Sequence, residues 1–128
     1  MHIDHLAVWT HDLERLRTFY ERHFGARSGA RYASASRPGF VSYFLSFPSG
    51  GARLELMTLP TLGPTLPAPT AGYAHIALSV GSPAAVDALT ERLRAAAVPV
   101  ISEPRRTGDG YYEAVVEDPD GNAIEITG

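Results

Sequence analysis

Two histidines and two glutamates in this chain recur at matched spacing. His5 and Glu55 are 50 positions apart, and His75 and Glu125 are again 50 positions apart. Imidazole nitrogens combined with carboxylate oxygens suit borderline or hard divalent ions such as Zn, Ni, Co, Mn and Fe. An ion held in this way keeps positions open for water or substrate, as catalysis requires. The four residues therefore predict one divalent metal ion per site, with a catalytic purpose.

The matched spacing indicates one structural unit written twice. Each His opens a strand-like run, and each Glu lies between two aliphatic residues of a later strand. A helix start separates them in each copy, at Asp12 in the first and at Ser82-Pro83 in the second. The sequence therefore predicts an α+β fold of two βαβββ modules. These are expected to form a curved eight-stranded mixed sheet with the helices on its outer face.

Turn residues and prolines set the expected element boundaries. The first copy should contain a helix from Asp12 to Gly25, and the second a helix from Ser82 to Val98-Pro99. The expected strands lie near 2–9, 27–35, 40–48 and 52–58 in the first copy and near 73–80, 100–106, 111–117 and 122–127 in the second.

The 128 residues are enough for a single domain with its own core. We divide that domain, 1–128, into module one over about 1–59 and module two over about 72–128. The proline-rich linker over 59–71 favours an extended, stiff connection. A linker of this kind lets the modules pack within one chain or exchange between two chains.

Strand alternation places the four candidate ligands relative to the core. Side chains of a strand point alternately to opposite faces, so His5 shares its face with Trp9, and Glu55 points away from Leu54 and Leu56. The same holds in module two. The less apolar face should thus carry all four: His5, Glu55, His75 and Glu125.

Composition excludes several classes of function. The formal net charge is −3 without a basic patch, which argues against nucleic acid and anionic membranes as partners. There is no cysteine, so thiolate chemistry and disulfides are absent. No apolar run approaches the roughly 20 residues of a membrane span. A soluble, cytoplasmic protein acting on a small molecule is the expectation.

Other residues are candidates for substrate contact. Trp9 is expected either in the wall of the pocket or in the core, and Phe44 is a further aromatic candidate. Arg105 could clamp an anionic substrate or lie on a solvated strand edge, and Tyr111 could line the pocket. The remaining histidines have no matched partner in the other copy and are predicted at surface or cap positions: His2, His11 and His23.

Several motifs together resemble the vicinal oxygen chelate superfamily, which includes glyoxalase I, fosfomycin-resistance proteins, extradiol dioxygenases and bleomycin-binding proteins. The resemblance covers nearly the whole chain and implies a pair of βαβββ modules. It rests on His5, on Asp12-Leu13 followed by Phe19-Tyr20, on the segment 72–80 and on Glu117-Asp118-Pro119-Asp120-Gly121-Asn122 leading to Ile124-Glu125-Ile126.

Within that superfamily the His, Glu, His, Glu set is similar to that of glyoxalase I. The resemblance implies an octahedral ion with two waters and the hemithioacetal of an α-ketoaldehyde as substrate, with glutathione as cosubstrate. It also implies that Glu125 or Glu55 moves a proton from C1 to C2 through a metal-stabilised enediolate. Trp9 stands where glyoxalase I carries a basic residue for a glutathione carboxylate. Whether the protein uses a thiol cosubstrate therefore stays open.

The leading expectation is therefore a metal-dependent, glyoxalase I-like lyase or isomerase acting on a small oxygenated substrate. Many relatives form homodimers whose sites combine residues of two chains, so a homodimer is expected. Two alternatives stay open: an extradiol-type dioxygenase or other metalloenzyme of the superfamily, and a non-catalytic protein that binds or sequesters a small molecule.

Overall fold

The structure is a computed structural model that describes residues 1–66, 69 and 71–128. The chain divides into two compact units, residues 1–65 and 66–128. The first unit contains β1 (His5–Trp9), α1 (Leu13–Phe24), β2 (Arg27–Ser28), β3 (Tyr32–Ala33), β4 (Val41–Ser46) and β5 (Arg53–Thr58). The second contains β6 (His75–Ser79), α2 (Pro83–Ala95), β7 (Val100–Arg106), β8 (Tyr112–Glu117) and β9 (Ala123–Thr127).

Both helices begin at the expected caps. The Asp12 carboxylate accepts a hydrogen bond from the Arg15 backbone N–H at 3.0 Å, and the Ser82 hydroxyl accepts one from the Ala85 N–H at 3.2 Å. Helix α1 ends at Gly25, which takes a left-handed conformation with φ of 66° that a side chain would disfavour. The buried stripes are Leu13, Leu16, Phe19 and Tyr20 in α1, and Val86, Leu89, Thr90 and Leu93 in α2.

In the first unit, the strands pair in the order β1-β5-β4-β2, and β3 also pairs with β4. The single strand expected over 27–35 is instead two short strands. Ser28 pairs with Leu45 and Tyr32 with Ser42, so four steps along this segment oppose three steps along β4. The extra residue interrupts the ladder as a bulge does, and the described residues contain nine strands where the sequence predicted eight.

In the second unit, the strands pair in the order β6-β9-β8-β7, the same arrangement as β1-β5-β4-β2. In both units the first and last strands of the module are parallel neighbours, while the other pairs are antiparallel. The predicted α+β fold of two βαβββ modules is confirmed. The strands form two sheets, one in each unit, where the sequence suggested one eight-stranded sheet.

Each helix packs against the sheet of its own module. Helix α1 contacts β2, β4 and β5, and α2 contacts β7, β8 and β9. The apolar residues of the last strands face these helices and are buried: Leu54 and Leu56 in β5, and Ile124 and Ile126 in β9. Because side chains alternate, the opposite face of each sheet is free to carry the candidate ligands.

The proline-rich linker predicted over 59–71 includes residues 67, 68 and 70, which lie outside the described residues. Within the described ranges, neither helix is both long and apolar enough to cross a membrane.

Candidate metal and substrate site

The first His–Glu pair lies on two neighbouring parallel strands of module one. Strand β1 pairs with β5 so that His5 is opposite Arg53 and Ala7 is opposite Glu55. The two side chains lean toward each other along the sheet, and His5 Nε2 lies 3.8 Å from Glu55 Oε2. Module one therefore presents one imidazole nitrogen and one carboxylate side by side.

The second pair repeats this arrangement in module two. Strand β6 pairs with β9 so that Ala77 is opposite Glu125, and His75 Nε2 lies 3.5 Å from Glu125 Oε2. The equal sequence spacing thus corresponds to equal strand registers, because His and Glu occupy the same relative positions in both ladders.

The geometry of each pair fits a shared divalent ion. Two donors bound at about 2.1 Å from one ion lie roughly 3.0 to 3.5 Å apart at ordinary coordination angles. The observed separations of 3.8 and 3.5 Å need little or no side-chain movement to meet this condition. Over residues 1–66, 69 and 71–128, no group of three or more His, Asp or Glu side chains gathers around one point. Each module by itself presents two candidate donors, and we call such a pair a half-site.

In module one, a carboxylate fixes the His5 ring. Asp4 Oδ2 lies 2.8 Å from His5 Nδ1 and 2.7 Å from an Arg53 guanidinium nitrogen. With its Nδ1 proton donated to Asp4, the ring keeps Nε2 unprotonated and directed at Glu55, as a candidate metal-binding nitrogen requires. The hydrogen bond from His5, and then that from Arg53, lower the pKa of Asp4. Sequence reasoning missed Asp4, although its place directly before His5 was a usable signal.

Phe44, a predicted substrate contact, lies beside the same pair. It is opposite Glu55 in the β4–β5 ladder, and its ring meets the His5 ring edge-on with centroids 5.2 Å apart. The Arg53 guanidinium lies 4.4 Å from the centre of the Phe44 ring. Phe44 therefore adjoins the half-site and restricts the space beside His5.

In module two, a second carboxylate, that of Glu113, lies near the glutamate of the His–Glu pair. Glu113 lies on the same face of the sheet as Glu125, because Glu113 is opposite Thr127 in the β8–β9 ladder. Burial, and next the charge of Glu113, raise the pKa of Glu125. Arg105, another predicted substrate contact, is 3.5 Å from a Glu113 carboxylate oxygen. Arg105 is thus partly neutralised by a neighbour within its own sheet.

Replacing Glu113 by glutamine is expected to lower the pKa of Glu125. The substitution removes a negative charge and provides an amide that can donate to the ionised carboxylate, so both changes favour ionisation. An NMR titration of the Glu125 side chain in metal-free protein measures the shift. Glu103→Gln serves as control, since Glu103 pairs with Arg94 of α2. An unchanged or raised pKa of Glu125 in Glu113→Gln would contradict this account.

The two modules differ in one row of residues across each sheet. This row lies next to the row that holds the glutamate. In module one the ladders align Trp9, Met57, Ser42 and Tyr32. In module two the equivalent row is Ser79, Thr127, Glu113 and Arg105. The half-sites therefore share their donors, but an aromatic row borders one and a charged row borders the other.

Trp9 belongs to an exposed aromatic cluster. Its ring meets Phe40 edge-on with centroids 6.0 Å apart, and Phe40 meets Tyr32 at 6.2 Å. The side chains of Trp9 and Tyr32 are 41% and 55% exposed. Two places were expected for Trp9, the wall of a pocket or the core. Trp9 lies on the open face of the sheet and not in the core.

Ser42 lies buried within this row, only 1% exposed, and its hydroxyl has no hydrogen-bond partner among the described residues. A buried hydroxyl without a partner costs stability. Replacing Ser42 by alanine is therefore expected to raise the free energy of unfolding by about 1 kcal/mol. Urea unfolding measures the difference, with the exposed Ser36→Ala as control, and a loss of stability in Ser42→Ala would contradict it.

The remaining candidates lie away from the two pairs. Tyr111 is 60% exposed in the turn before β8, where its carbonyl accepts a hydrogen bond from the Thr107 N–H. Its predicted role in substrate binding stays a prediction. His11 bonds to the Gly63 carbonyl at 3.0 Å, and His23 lies against Phe19 with centroids 5.1 Å apart.

Two βαβββ modules, each with a histidine beside a glutamate, define a glyoxalase-like protein. The model of the glyoxalase/bleomycin resistance protein/dioxygenase superfamily matches residues 2–126, and the chain belongs to this superfamily. Comparison with functionally curated proteins gave no match.

Solved structures show the same fold at low sequence identity. A glyoxylase/bleomycin resistance protein/dioxygenase domain from Frankia sp. EAN1pec has a TM-score of 0.85 and 19% identity, over 99% of this chain and 96% of that one. The trypanothione-dependent glyoxalase I of Leishmania major has a TM-score of 0.78 and 25% identity, over 99% and 86%. Glyoxalase I of Zea mays has a TM-score of 0.78 and 21% identity, and the match spans 98% of this chain and 44% of the maize chain.

Proposed function

We propose that this protein is a divalent-metal-dependent lyase or isomerase of the glyoxalase I type, acting on a small oxygenated substrate. The observation that carries the proposal is the contact of His Nε2 with Glu Oε2 in both modules, at 3.8 and 3.5 Å. Two neutral imidazoles and two carboxylates would balance the charge of a divalent ion. A bound ion would withdraw electron density from the substrate oxygens and so acidify the adjacent C–H bond.

The chain's own residues supply the proton transfer. Glu55 or Glu125 accepts the proton that leaves C1 of a hemithioacetal and returns it to C2. The hydroxyl proton passes from the C1 oxygen to the C2 oxygen, so that the carbonyl moves from C2 to C1. The reaction is an isomerisation that needs no oxidant. Phe44 and the aromatic row of module one keep water from one side of the reacting carbons.

The test begins with elemental analysis of gently purified protein, followed by turnover with added Ni or Zn. The substrates are hemithioacetals of methylglyoxal with glutathione and with trypanothione, the second chosen because the Leishmania major relative depends on that thiol. Metal-dependent thioester formation supports the proposal. Protein that binds no divalent ion after incubation with each metal refutes it. Oxygen consumption with Fe(II) and a catechol would favour the dioxygenase alternative instead.

A complete site needs both half-sites, and we propose that a homodimer supplies them across two chains. The pair variants His5→Ala/Glu55→Ala and His75→Ala/Glu125→Ala each lack one half-site. A heterodimer of the two variants is isolated with two affinity tags. If the halves of each site come from different chains, this heterodimer regains one intact site and binds about half as much metal as the wild type. If the halves come from the same chain, the heterodimer binds none. Light scattering of the wild type showing only monomer would also refute the shared site.

Non-catalytic binding of a small molecule is the second candidate, and the exposed rings around Trp9 favour it. Unchanged ligand affinity in a His75→Ala variant, together with the absence of turnover, would identify this function. The cytoplasmic location expected from the sequence stays a prediction.

A further inference from the structure

Arg37 is a cation held against aromatic rings. Its guanidinium carbon lies 5.7 Å from the centre of the Trp9 ring and 5.6 Å from that of Phe40. Among the residues the structure describes, no carboxylate pairs with it. Arg105 lies in the row of module two that corresponds to the row of Trp9. Unlike Arg37, it pairs with a carboxylate, that of Glu113. Module one thus offers a positive charge that an anion can neutralise.

The backbone that carries Arg37 is well anchored. Ser34 and Phe40 close the β3–β4 hairpin through a backbone hydrogen bond of 3.1 Å, and the Arg37 N–H donates to the Ser34 hydroxyl at 3.0 Å. Gly39 packs so tightly on Pro60 that an added Cβ would lie 2.5 Å from the proline ring. The hairpin therefore fixes the Arg37 backbone beside the rings before any ligand arrives, which reduces the entropic cost of binding.

This cluster borders the row that contains Glu55. Met57 aligns with Trp9 on one side and Ser42 on the other, and it follows Glu55 by two residues, or about 6.6 Å along the strand. A molecule of a few carbon atoms can therefore reach from the rings to Glu55. Ser42, whose buried hydroxyl has no hydrogen-bond partner among the described residues, lies in the same row.

We propose that Arg37, Trp9, Phe40 and Tyr32 form a subsite for a small carboxylate with a planar apolar body. The carboxylate pairs with the guanidinium of Arg37, and the apolar body lies on the exposed faces of Trp9 and Tyr32. This inference rests on the proposed function in one respect: it names the class of substrate that module one presents to Glu55.

Trp9 is the only tryptophan of the chain, so its fluorescence reports directly on this subsite. The first ligand to test is 3-phenylpropionate, titrated into metal-free protein with chelator present. Two comparisons separate the contributions: 3-phenylpropanamide keeps the ring without the charge, and acetate keeps the charge without the ring. We expect 3-phenylpropionate to bind saturably. Its affinity should be at least about tenfold higher than the affinity of either comparison ligand.

The variant Arg37→Gln is expected to weaken 3-phenylpropionate binding by about tenfold or more and to leave the amide unaffected. Arg31→Gln is the matched control, because Arg31 lies on the same hairpin but interacts with Glu14 of α1. It removes the same charge and should bind like the wild type. Calorimetry repeats each titration, since the loss of Arg37 itself alters Trp9 emission. Circular dichroism verifies that both variants fold.

Equal affinity for the acid and the amide overturns the proposal, as does wild-type binding in Arg37→Gln. Because these titrations use metal-free protein, failure of the metal site does not affect them. Conversely, intact metal binding without 3-phenylpropionate binding rejects the subsite and leaves the proposed metal chemistry standing.

Discussion

Alanine in place of Glu125 is expected to lower metal affinity roughly a hundredfold or more and to reduce metal-dependent turnover to background. The residue provides the carboxylate oxygen 3.5 Å from His75 Nε2, and removing it leaves module two with one donor. Loss of partners outside the ligand sphere already costs about 10- to 100-fold in metal affinity, so loss of a ligand should cost at least as much. Competition with a fluorescent chelator measures the affinity.

Glu103→Ala is the matched control for this experiment. It also removes a carboxylate from module two, but one that pairs with Arg94 on α2 at 2.6 Å. Its metal affinity should equal that of the wild type. Wild-type metal binding in Glu125→Ala would show that the His–Glu pair of module two is no ligand set.

A second pair of variants distinguishes the two glutamates. Glu55→Gln and Glu125→Gln keep one oxygen that can bind a metal but remove the proton acceptor. The glutamate that moves the proton is the one whose replacement reduces turnover more than metal affinity. The other substitution should affect both in proportion.

Replacing Asp118 by alanine is expected to cost about 2 to 3 kcal/mol of stability. Asp118 is 4% exposed in the turn between β8 and β9. Its carboxylate accepts hydrogen bonds from the backbone N–H groups of Asp120 and Asn122 and from the Asn122 amide, all at 2.9 Å. Alanine leaves these donors without that acceptor. The turn also fixes the register that places Glu125 opposite Val115, so its loss reaches the candidate site.

Denaturant unfolding of Asp118→Ala and Asp118→Asn measures this effect. Asparagine keeps one acceptor oxygen for the two backbone N–H groups, so it should lose less stability than alanine. Equal stability of wild type and Asp118→Ala would contradict the proposed role of the turn.

The pH dependence of the Asp118→Asn comparison has a definite sign. Burial raises the pKa of Asp118, so the folded protein holds this proton more firmly than the unfolded chain does. The contribution of the protonated Asp118 carboxyl to the free energy of unfolding is complete below the unfolded-state pKa. It is lost as the pH rises through the pKa of Asp118 in the folded protein. The stability of wild type relative to Asp118→Asn should therefore fall over this acidic window and stay constant above it.

The sequence by itself determined the helices, the strand faces and the pairing of each His with its Glu. These features depend on local rules: capping residues start the helices, and alternation decides which side chains share a face. The equal spacing in two copies added the register, since two equivalent βαβββ units align the same relative positions. For that reason His5 and Glu55 could be paired from residue numbers.

Only the tertiary structure decided what surrounds those pairs. Arg37, between β3 and β4, lies beside Trp9 of β1, and Glu113 meets Glu125 through the register of β8 on β9. The bulge that splits the 27–35 segment depends on its pairing with β4. Such contacts join segments far apart in the chain, and their energies depend on partner strands that local sequence patterns do not specify.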